Sequence, residues 1–137
     1  MKLIFKPLKN GVEAPAKAHL NDAGYDVKMS ENVTLEPGKN MIPMGFSIIL
    51  PPGVMALFTP RSSWMAQLTN SAVPIDPGYS GEWHLCVNNM THTVIKVKQG
   101  ERIGQIVFLP YIDVDFVDAE TYEARSRREG GLGSTGR

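Results

Sequence analysis

The segment IDPGYSGEW, residues 75–83, carries the residue types from which an acid–base site could be built. Asp76 ends an apolar stretch and precedes a Pro-Gly turn, so its carboxylate could stand at a pocket wall and act as a general base. Tyr79 could lie flat against a small ligand, and Gly81 would permit a close approach of the backbone. Turns also favour Asp for the hydrogen bond that its side chain makes to the backbone, so a purely structural role for Asp76 stays open.

Two further segments combine residue types that bind anions. PRSS, residues 60–63, sets the guanidinium of Arg61 beside the hydroxyls of Ser62 and Ser63, which together suit a phosphate. RREGGLGSTGR, residues 127–137, joins arginines and hydroxyls to closely spaced glycines whose N–H groups can approach an anion. Its spacing matches neither a P-loop nor a dinucleotide-binding turn. PRSS could instead be a simple surface turn, and RREGGLGSTGR could be a solvated terminus.

Polar residues also interrupt two apolar stretches, NDAGYD at residues 21–26 and ERIGQIVF at residues 101–108. The first supplies Asp26, and the second supplies Arg102 and Gln105. These residues could simply form a structural ion pair and a strand amide.

The elements that must position these residues are predicted to be β-strands. Short runs rich in Val, Ile, Leu and Phe alternate with turn pairs such as Pro37-Gly38 and Pro77-Gly78. Ten prolines and 13 glycines leave no room for long helices, and residues 118–124, DAETYEA, are the one helical candidate. The pattern favours an all-β barrel or sandwich of jelly-roll type. The strand candidates are LIFKPL, NVTLEP, NMIPMGFSIIL, VMALFTP, EWHLCVNN, THTVIKV and RIGQIVFLPYIDVDF.

Length and composition divide the chain into one body and a tail. A chain of 137 residues, 42% of them hydrophobic, suits a single domain with its own core, and we place that domain at residues 1–125. Residues 126–137 contain Arg, Gly, Ser and Thr with one apolar residue, Leu132, so we expect a flexible arm that only a ligand or another subunit would order. Four of the six arginines lie in the last 13 residues, which suggests that each Arg has a specific task.

Charge and hydropathy exclude several classes of function. Lys plus Arg and Asp plus Glu number 14 each, which argues against a general nucleic-acid binder. No apolar run is long enough to span a membrane, and the N-terminal apolar stretch is too short for a signal peptide. The only cysteine, Cys86, excludes an internal disulfide and a Cys-rich zinc site. We expect a cytoplasmic protein that binds neither nucleic acid nor membrane.

Taken in order, the five segments resemble the five motifs of the trimeric dUTP diphosphatases, or dUTPases. AGYD resembles the first motif, PRSS the second, IDPGYSGE the third, RIGQ the fourth and RREGGLGSTG the fifth. The resemblance implies a distorted β jelly roll and a homotrimer with three active sites at subunit interfaces. It also implies Mg²⁺-dependent hydrolysis of dUTP to dUMP and pyrophosphate, with the C-terminal arm closing over the substrate.

The resemblance further implies a role for each matching residue. Asp76 would activate water for attack on the α-phosphorus, and Tyr79 would stack under the deoxyribose and exclude a 2′-hydroxyl. Asp26 would lie near the metal-bound waters, with Arg102 as its structural partner. The implied phosphate contacts are Arg61, Ser62, Ser63, Gln105, Arg127, Ser134 and Thr135, and the implied contacts to the base and from the arm are Asn70, Pro74, Ile75, His84, Leu132 and Gly133.

The chain departs from the family pattern in four places. Leu132 stands where the arm usually has an aromatic residue that stacks on uracil, which forfeits a ring–ring interaction on the order of 1 kcal/mol. Arg128 and Ser63 each stand where relatives usually or often have Gly. The interval from Arg61 to the motif-three Asp is only 15 residues, which shortens the segment around Asn70.

Two alternative functions share this fold. A dCTP deaminase-like enzyme would need a catalytic Glu ten positions after the motif-three Asp, where this chain has Cys86, and a thiol cannot replace that carboxylate in acid–base work. A regulatory binding protein of the kind found among phage relatives is the second alternative. Binding of a regulatory partner could also coexist with catalysis, and a phage-encoded protein would act in the host cytoplasm.

Overall fold

The computed structural model describes residues 1–70 and 74–126, with the backbone alone for residues 124–126. This part of the chain is almost entirely β, as predicted, with one 3₁₀ turn at Ser62–Trp64 and one α-helix, α1 (Ala119–Ser126). The strands are β1 (Ile4–Pro7), β2 (Tyr25–Lys28), β3 (Val33–Leu35), β4 (Gly38–Pro43), β5 (Phe46–Ile49), β6 (Val54–Pro60), β7 (Leu68–Asn70), β8 (His84–Asn89), β9 (Ile95–Val97) and β10 (Arg102–Pro110).

The described strands pair antiparallel in four small sheets and do not close into a barrel. The sheets have the orders β1-β5, β2-β10-β6, β3-β9 and β4-β8-β7. The long strand β6 shows the clearest alternation, because Val54, Ala56, Phe58 and Pro60 are buried while the residues between them are half-buried. The inward faces of the sheets share one core, in which Trp83 lies between the rings of Phe46 and Phe58. The all-β, jelly-roll-type fold expected from the sequence is confirmed.

The helix begins where its capping residue predicts. Asp118 accepts hydrogen bonds from the backbone N–H and the hydroxyl of Thr121, each at 3.0 Å, which satisfies donors of the first turn. The same bonds, led by the one from the Thr121 N–H, lower the pKa of the Asp118 carboxyl because they stabilise its ionised form. The sequence placed this helix at residues 118–124, and the structure places it one residue later with an end at Ser126.

One strand candidate is shorter than its apolar run suggested. The run RIGQIVFLPYIDVDF forms a strand only as far as Pro110. The Tyr111 N–H then donates to the Gly53 carbonyl at 3.2 Å, and residues 111–118 leave the sheet. Ile112, Val114 and Phe116 are 86%, 63% and 94% exposed. Among the described residues, none of the helices has the length and apolar character needed to cross a bilayer.

Candidate active site

Three adjacent strands bring together residues that lie far apart in the sequence. In the sheet β2-β10-β6, Gln105 stands directly opposite Asp26 on one side and Thr59 on the other. Directly opposed residues share a face of a sheet, so Asp26 and Gln105 lie side by side. The next residues, Val27 and Ile106, point the other way and are buried in the core. Strand register alone therefore sets the spacing of the first and fourth motifs.

The Asp26 carboxylate is held between two arginines. Its Oδ1 lies 3.1 Å from Nε of Arg61, and its Oδ2 lies 3.3 Å from Nη1 of Arg102. The Asp26 side chain is 12% exposed, whereas those of Arg61 and Arg102 are 31% and 46% exposed. Arg61 is fixed at the end of β6 by its N–H, which donates to the Ile103 carbonyl at 3.0 Å. One carboxylate facing two guanidiniums leaves a local excess of positive charge with free donors, which suits an anion.

These groups open into one cleft, which we call the sheet cleft. It has a volume of about 450 Å³ and is lined by Ala18, His19, Asp22, Ala23, Gly24, Asp26, Arg61, Ser62, Gln105 and Val107. A Cβ at Gly24 would overlap the side-chain amide of Gln105, so the glycine leaves room for that amide in the cleft. A neighbouring polar cleft of about 490 Å³ holds Ser63, together with Arg61, Trp64, Gln67 and Arg102.

The sheet cleft also contains a pair that the sequence analysis missed. His19 Nδ1 lies 3.4 Å from the Asp22 carboxylate, which also accepts the His19 N–H at 2.9 Å. Both side chains line the cleft beside Arg61 and Gln105. A His and an Asp three residues apart are common in turns, so their spacing gave no signal of a site.

The third motif forms a tight turn that presents Asp76. Residues Asp76 to Tyr79 match a type II turn, in which Pro77 sets the second position and Gly78 supplies a φ of 83° at the third. Just before the turn, Ile75 exchanges two backbone hydrogen bonds with Ala56 of β6, at 2.8 and 3.1 Å. Asp76 is exposed. Its carboxylate is therefore carried on a short anchored turn and is free to face a ligand.

Tyr79, the last residue of this turn, is fixed over a small cleft. Its hydroxyl donates to the Glu82 carbonyl at 2.8 Å, and Gly81 lies so close below that a Cβ there would be 2.6 Å from the Tyr79 oxygen. We call this space the hairpin cleft. It measures about 180 Å³ and is lined by Met41, Phe58, Ile75, Tyr79, Glu82, Trp83, His84 and Cys86.

The turn that carries Asp76 and the donor Arg61 lie towards different ends of β6. Ile75 pairs with Ala56 near the start of the strand, while Arg61 follows its last residue. Five residues of extended chain span about 17 Å, so Asp76 and Arg61 of one chain do not face the same small group. The two clefts have no lining residue in common.

The described residues contain no group of three or more His, Cys, Asp or Glu side chains that could hold a metal ion by themselves. Asp26 is the candidate for a Mg²⁺ contact. Both of its oxygens already face guanidiniums, yet each retains a lone pair that can accept from a water molecule. Mg²⁺ keeps several waters and commonly combines one carboxylate with substrate phosphates, so a water-mediated contact fits this residue.

The remaining candidates divide between exposed positions and the undescribed part of the chain. Asn70 ends β7 and Pro74 precedes Ile75, and both are exposed. His84 is half-buried, and its Nδ1 lies 3.0 Å from the Glu82 carbonyl. Ile75 and His84 line the hairpin cleft together with Tyr79. Arg127, Leu132, Gly133, Ser134 and Thr135 lie outside the described residues.

Comparison with known families and sequences gives one consistent result. The family model described as dUTPase matches residues 10–136. The deoxyuridine 5′-triphosphate nucleotidohydrolase of Nocardia farcinica is 36% identical over 135 residues, which cover 94% of this chain and 82% of that protein. The corresponding protein of Gloeobacter violaceus is 37% identical over 143 residues, covering 99% of this chain and 97% of that protein.

Solved structures agree. A variant of the dUTPase of Staphylococcus bacteriophage 80alpha, solved with dUpNHpp, superposes with a TM-score of 0.80 at 27% identity and covers 99% of both chains. A dUTPase variant from phage phi11 of S. aureus, whose structure describes the coordination of a structural Mg(II) ion, superposes with a TM-score of 0.81. The match covers 90% of this chain and 99% of that one. At 23% identity, the second likeness shows the fold alone.

Proposed function

The chain belongs to the dUTPase family and is a dUTP-hydrolysing enzyme, and we propose that it cleaves dUTP to dUMP and pyrophosphate by attack of water on the α-phosphorus, with Asp76 as the general base. The observation that carries the proposal is the convergence of Asp26, Arg61, Ser62 and Gln105 in the sheet cleft. Register and ion pairing bring together three separate motifs there.

The charge of the substrate explains why the sheet cleft has this composition. A triphosphate carries about four negative charges near neutral pH, and its cleavage requires that charge to be offset and one water to be held in line. Arg61, Ser62 and Gln105 supply donors of three kinds at one cleft. Fixed donors of this kind stabilise charge that develops on the phosphate oxygens. Ser63 would contribute from the neighbouring cleft, and Arg127, Ser134 and Thr135 from the arm.

The hairpin cleft would hold the nucleoside. Tyr79 offers a ring face for the deoxyribose, and His84, Ile75, Pro74 and Asn70 would provide base contacts. Asp76 stands at the mouth of the turn, where its exposed carboxylate can accept a proton from water. Leu132 and Gly133 of the arm would cover the base from the other side and exclude bulk solvent.

Mg²⁺ would be held through water near Asp26 and would supply charge neutralisation for the phosphates. The chain's own contribution at this point is to hold the Asp26 carboxylate in place between Arg61 and Arg102.

The separation of the two clefts supports a homotrimer with shared sites. In one chain, the turn with Asp76 and the donor Arg61 stand at opposite ends of β6. A nucleotide that needs both would have to lie between the hairpin of one subunit and the sheet cleft of another. Head-to-tail contacts of this kind close into a ring when the rotation per subunit is one third of a turn.

A panel of nucleotides tests the reaction. Pyrophosphate release from dUTP, dTTP, dCTP, UTP and dATP is measured with Mg²⁺ and again with a chelator. We expect rapid release from dUTP alone and its loss on chelation. Ammonia release from dCTP would favour the deaminase alternative, and no turnover of dUTP would contradict the proposal.

Mixed oligomers test the shared site. Asp76→Asn and Arg61→Ala subunits are each expected to be nearly inactive, and co-refolding them in equal amounts should restore activity at about a quarter of the sites, since each site then draws its two residues from different chains. Co-refolding of Asp76→Asn with the double variant Asp76→Asn/Arg61→Ala is the control. Persistent inactivity of the first mixture would place both residues in one chain's site.

A regulatory function remains a second candidate because related phage dUTPases, 25% and 26% identical to this chain, are described as controlling transfer of virulence genes. We propose catalysis as the primary function, since every motif residue on the described part of the chain is of a type that the reaction needs. We propose that the protein acts on nucleotides in the cytoplasm, which is the host cytoplasm if the protein is phage-encoded.

A further inference from the structure

We propose that Glu82 is a positioning residue that sets the selectivity for deoxyribose, because its carboxylate fixes the hairpin segment on which Tyr79 is held. The inference rests on the proposed function, in which the ring of Tyr79 excludes a 2′-hydroxyl. Glu82 itself needs no contact with the nucleotide for this role.

The Glu82 carboxylate spans two segments that are distant in the sequence. Its Oε2 accepts the backbone N–H of Gly45 at 2.8 Å, across 37 residues. Gly45 lies in the β4–β5 turn with a φ of 77°, and its carbonyl accepts the Leu8 N–H at 2.7 Å. A Cβ at Gly45 would meet the side chains of Lys9 and Val12, so the turn is closely packed. Glu82 is thus tied to a rigid part of the domain.

The backbone of Glu82 passes this anchoring on to Tyr79. The Glu82 carbonyl accepts the Tyr79 hydroxyl at 2.8 Å and also lies 3.0 Å from Nδ1 of His84. Gly81, which lies between Tyr79 and Glu82 in the sequence, is close beneath the phenol ring of Tyr79. The position of the aromatic ring therefore depends on where the Glu82 peptide is held. The Trp83 N–H of that peptide donates to the Phe46 carbonyl at 2.9 Å, and the Glu82 carboxylate adds a second anchor through Gly45.

A second contact supports the same segment. Ser47 is a polar residue that is only 1% exposed, and its hydroxyl donates to the Ser80 carbonyl at 3.1 Å. Strand pairing of β5 does not require a hydroxyl there. Ser47 and Glu82 act on residues 80 and 82, on either side of the glycine below Tyr79.

Discrimination between deoxyribose and ribose makes rigidity valuable. A pocket gives only weak discrimination, about 10²-fold, against an analogue that merely adds a hydroxyl. Stronger discrimination requires that the group next to the hydroxyl stays in place. If Tyr79 could shift by a fraction of an ångström, a 2′-hydroxyl would fit. Loss of the Glu82 anchor should therefore raise turnover of UTP relative to dUTP.

The test compares kcat and KM for dUTP and UTP in the full-length enzyme with Mg²⁺. For Glu82→Ala we expect the dUTP preference to fall about tenfold, mostly through a lower KM for UTP, because the shifted ring leaves room for the 2′-hydroxyl. Glu82→Gln retains an oxygen acceptor for the Gly45 N–H and should keep a preference within about twofold of the parent. Ser47→Ala should shift the preference in the same direction by a smaller factor.

Glu36→Ala is the matched control, since Glu36 is exposed and its bonds to Asn40 use its backbone N–H and carbonyl rather than its carboxylate. An unchanged preference in a folded Glu82→Ala, or equal loss in Glu82→Gln, overturns the inference. If Glu82→Ala does not fold, an unchanged preference in Ser47→Ala overturns the inference instead. Failure of the parent to hydrolyse dUTP would instead contradict the proposed function.

Discussion

The sheet cleft and the hairpin turn reach functional geometry by different physical means. In the sheet cleft, Asp26 and Gln105 are opposed on paired strands, and Arg61 is fixed to the strand end by a backbone bond and an ion pair. In the hairpin turn, Asp76 and Tyr79 depend on one bridge to β6, a Pro-Gly turn and bonds from side chains to the backbone. Strand pairing fixes the first region directly, whereas a turn and side-chain bonds fix most of the second.

On the proposed function, this difference separates the binding of phosphate charge from the placement of the general base and the sugar-facing ring. A cleft that offsets phosphate charge needs fixed donors before the substrate arrives, which strand pairing provides. A general base and a sugar-facing ring need accurate orientation of only two side chains, which a short turn can supply. Mutations in the sheet cleft should therefore affect folding and phosphate binding together, and mutations in the turn should affect catalysis or selectivity alone.

Asp76→Asn gives the largest expected effect and isolates the turn. The substitution preserves shape and removes the proton acceptor, so we expect kcat to fall by roughly 10²–10⁴-fold while the assembly and nucleotide affinity persist. The measurement pairs steady-state pyrophosphate release with calorimetric titration of a non-hydrolysable dUTP analogue. Unchanged turnover would remove Asp76 as the base, and lost affinity would show that the turn also contributes to binding.

In both regions the local features could be predicted from the sequence, and the long-range contacts could not. Alternating apolar runs, Pro-Gly pairs and a helix-starting Asp are local signals, so the strands, the Pro-Gly turn after Asp76 and the helix start at Asp118 followed from them. The contacts Asp26–Arg61 and Glu82–Gly45 join residues 35 and 37 positions apart. No local pattern encodes such pairs, because they arise only when strand order is known. The end of β10 at Pro110 was missed for a related reason, since exposed Ile112 and Phe116 have the residue types of a strand.

Gly24→Ala probes the sheet cleft by steric means. The new methyl would overlap the Gln105 amide and push this flexible side-chain end out of the cleft, so we expect kcat/KM for dUTP to fall about tenfold and the free energy of unfolding to fall by about 1 kcal/mol. A Gln105→Ala variant gives the matched comparison. If both act through the same amide, the double variant should be little worse than Gly24→Ala alone. Additive losses would show that Gly24 matters for another reason.

Gly81→Ala applies the same perturbation to the turn. A methyl there would lie 2.6 Å from the Tyr79 oxygen and displace the ring. Because the turn is outside the paired sheets, we expect a melting temperature close to that of the parent and a loss of preference for dUTP over UTP of about fivefold. Kinetics with both nucleotides, alongside thermal unfolding, test this. A large stability loss with unchanged selectivity would erase the distinction between the two regions.

Leu132→Phe carries the smallest expected effect and asks whether the arm acts on the hairpin side. Residue 132 lies outside the described residues, and the resemblance puts it over the base, next to the hairpin cleft. A ring in place of Leu would add stacking on uracil, which should lower KM for dUTP by about threefold and leave kcat nearly unchanged. Leu132→Ile, similar in size but unable to stack, should leave KM close to that of the parent. If the Phe variant instead changed kcat with KM constant, residue 132 would act on the phosphate side, and the arm would belong functionally to the sheet cleft.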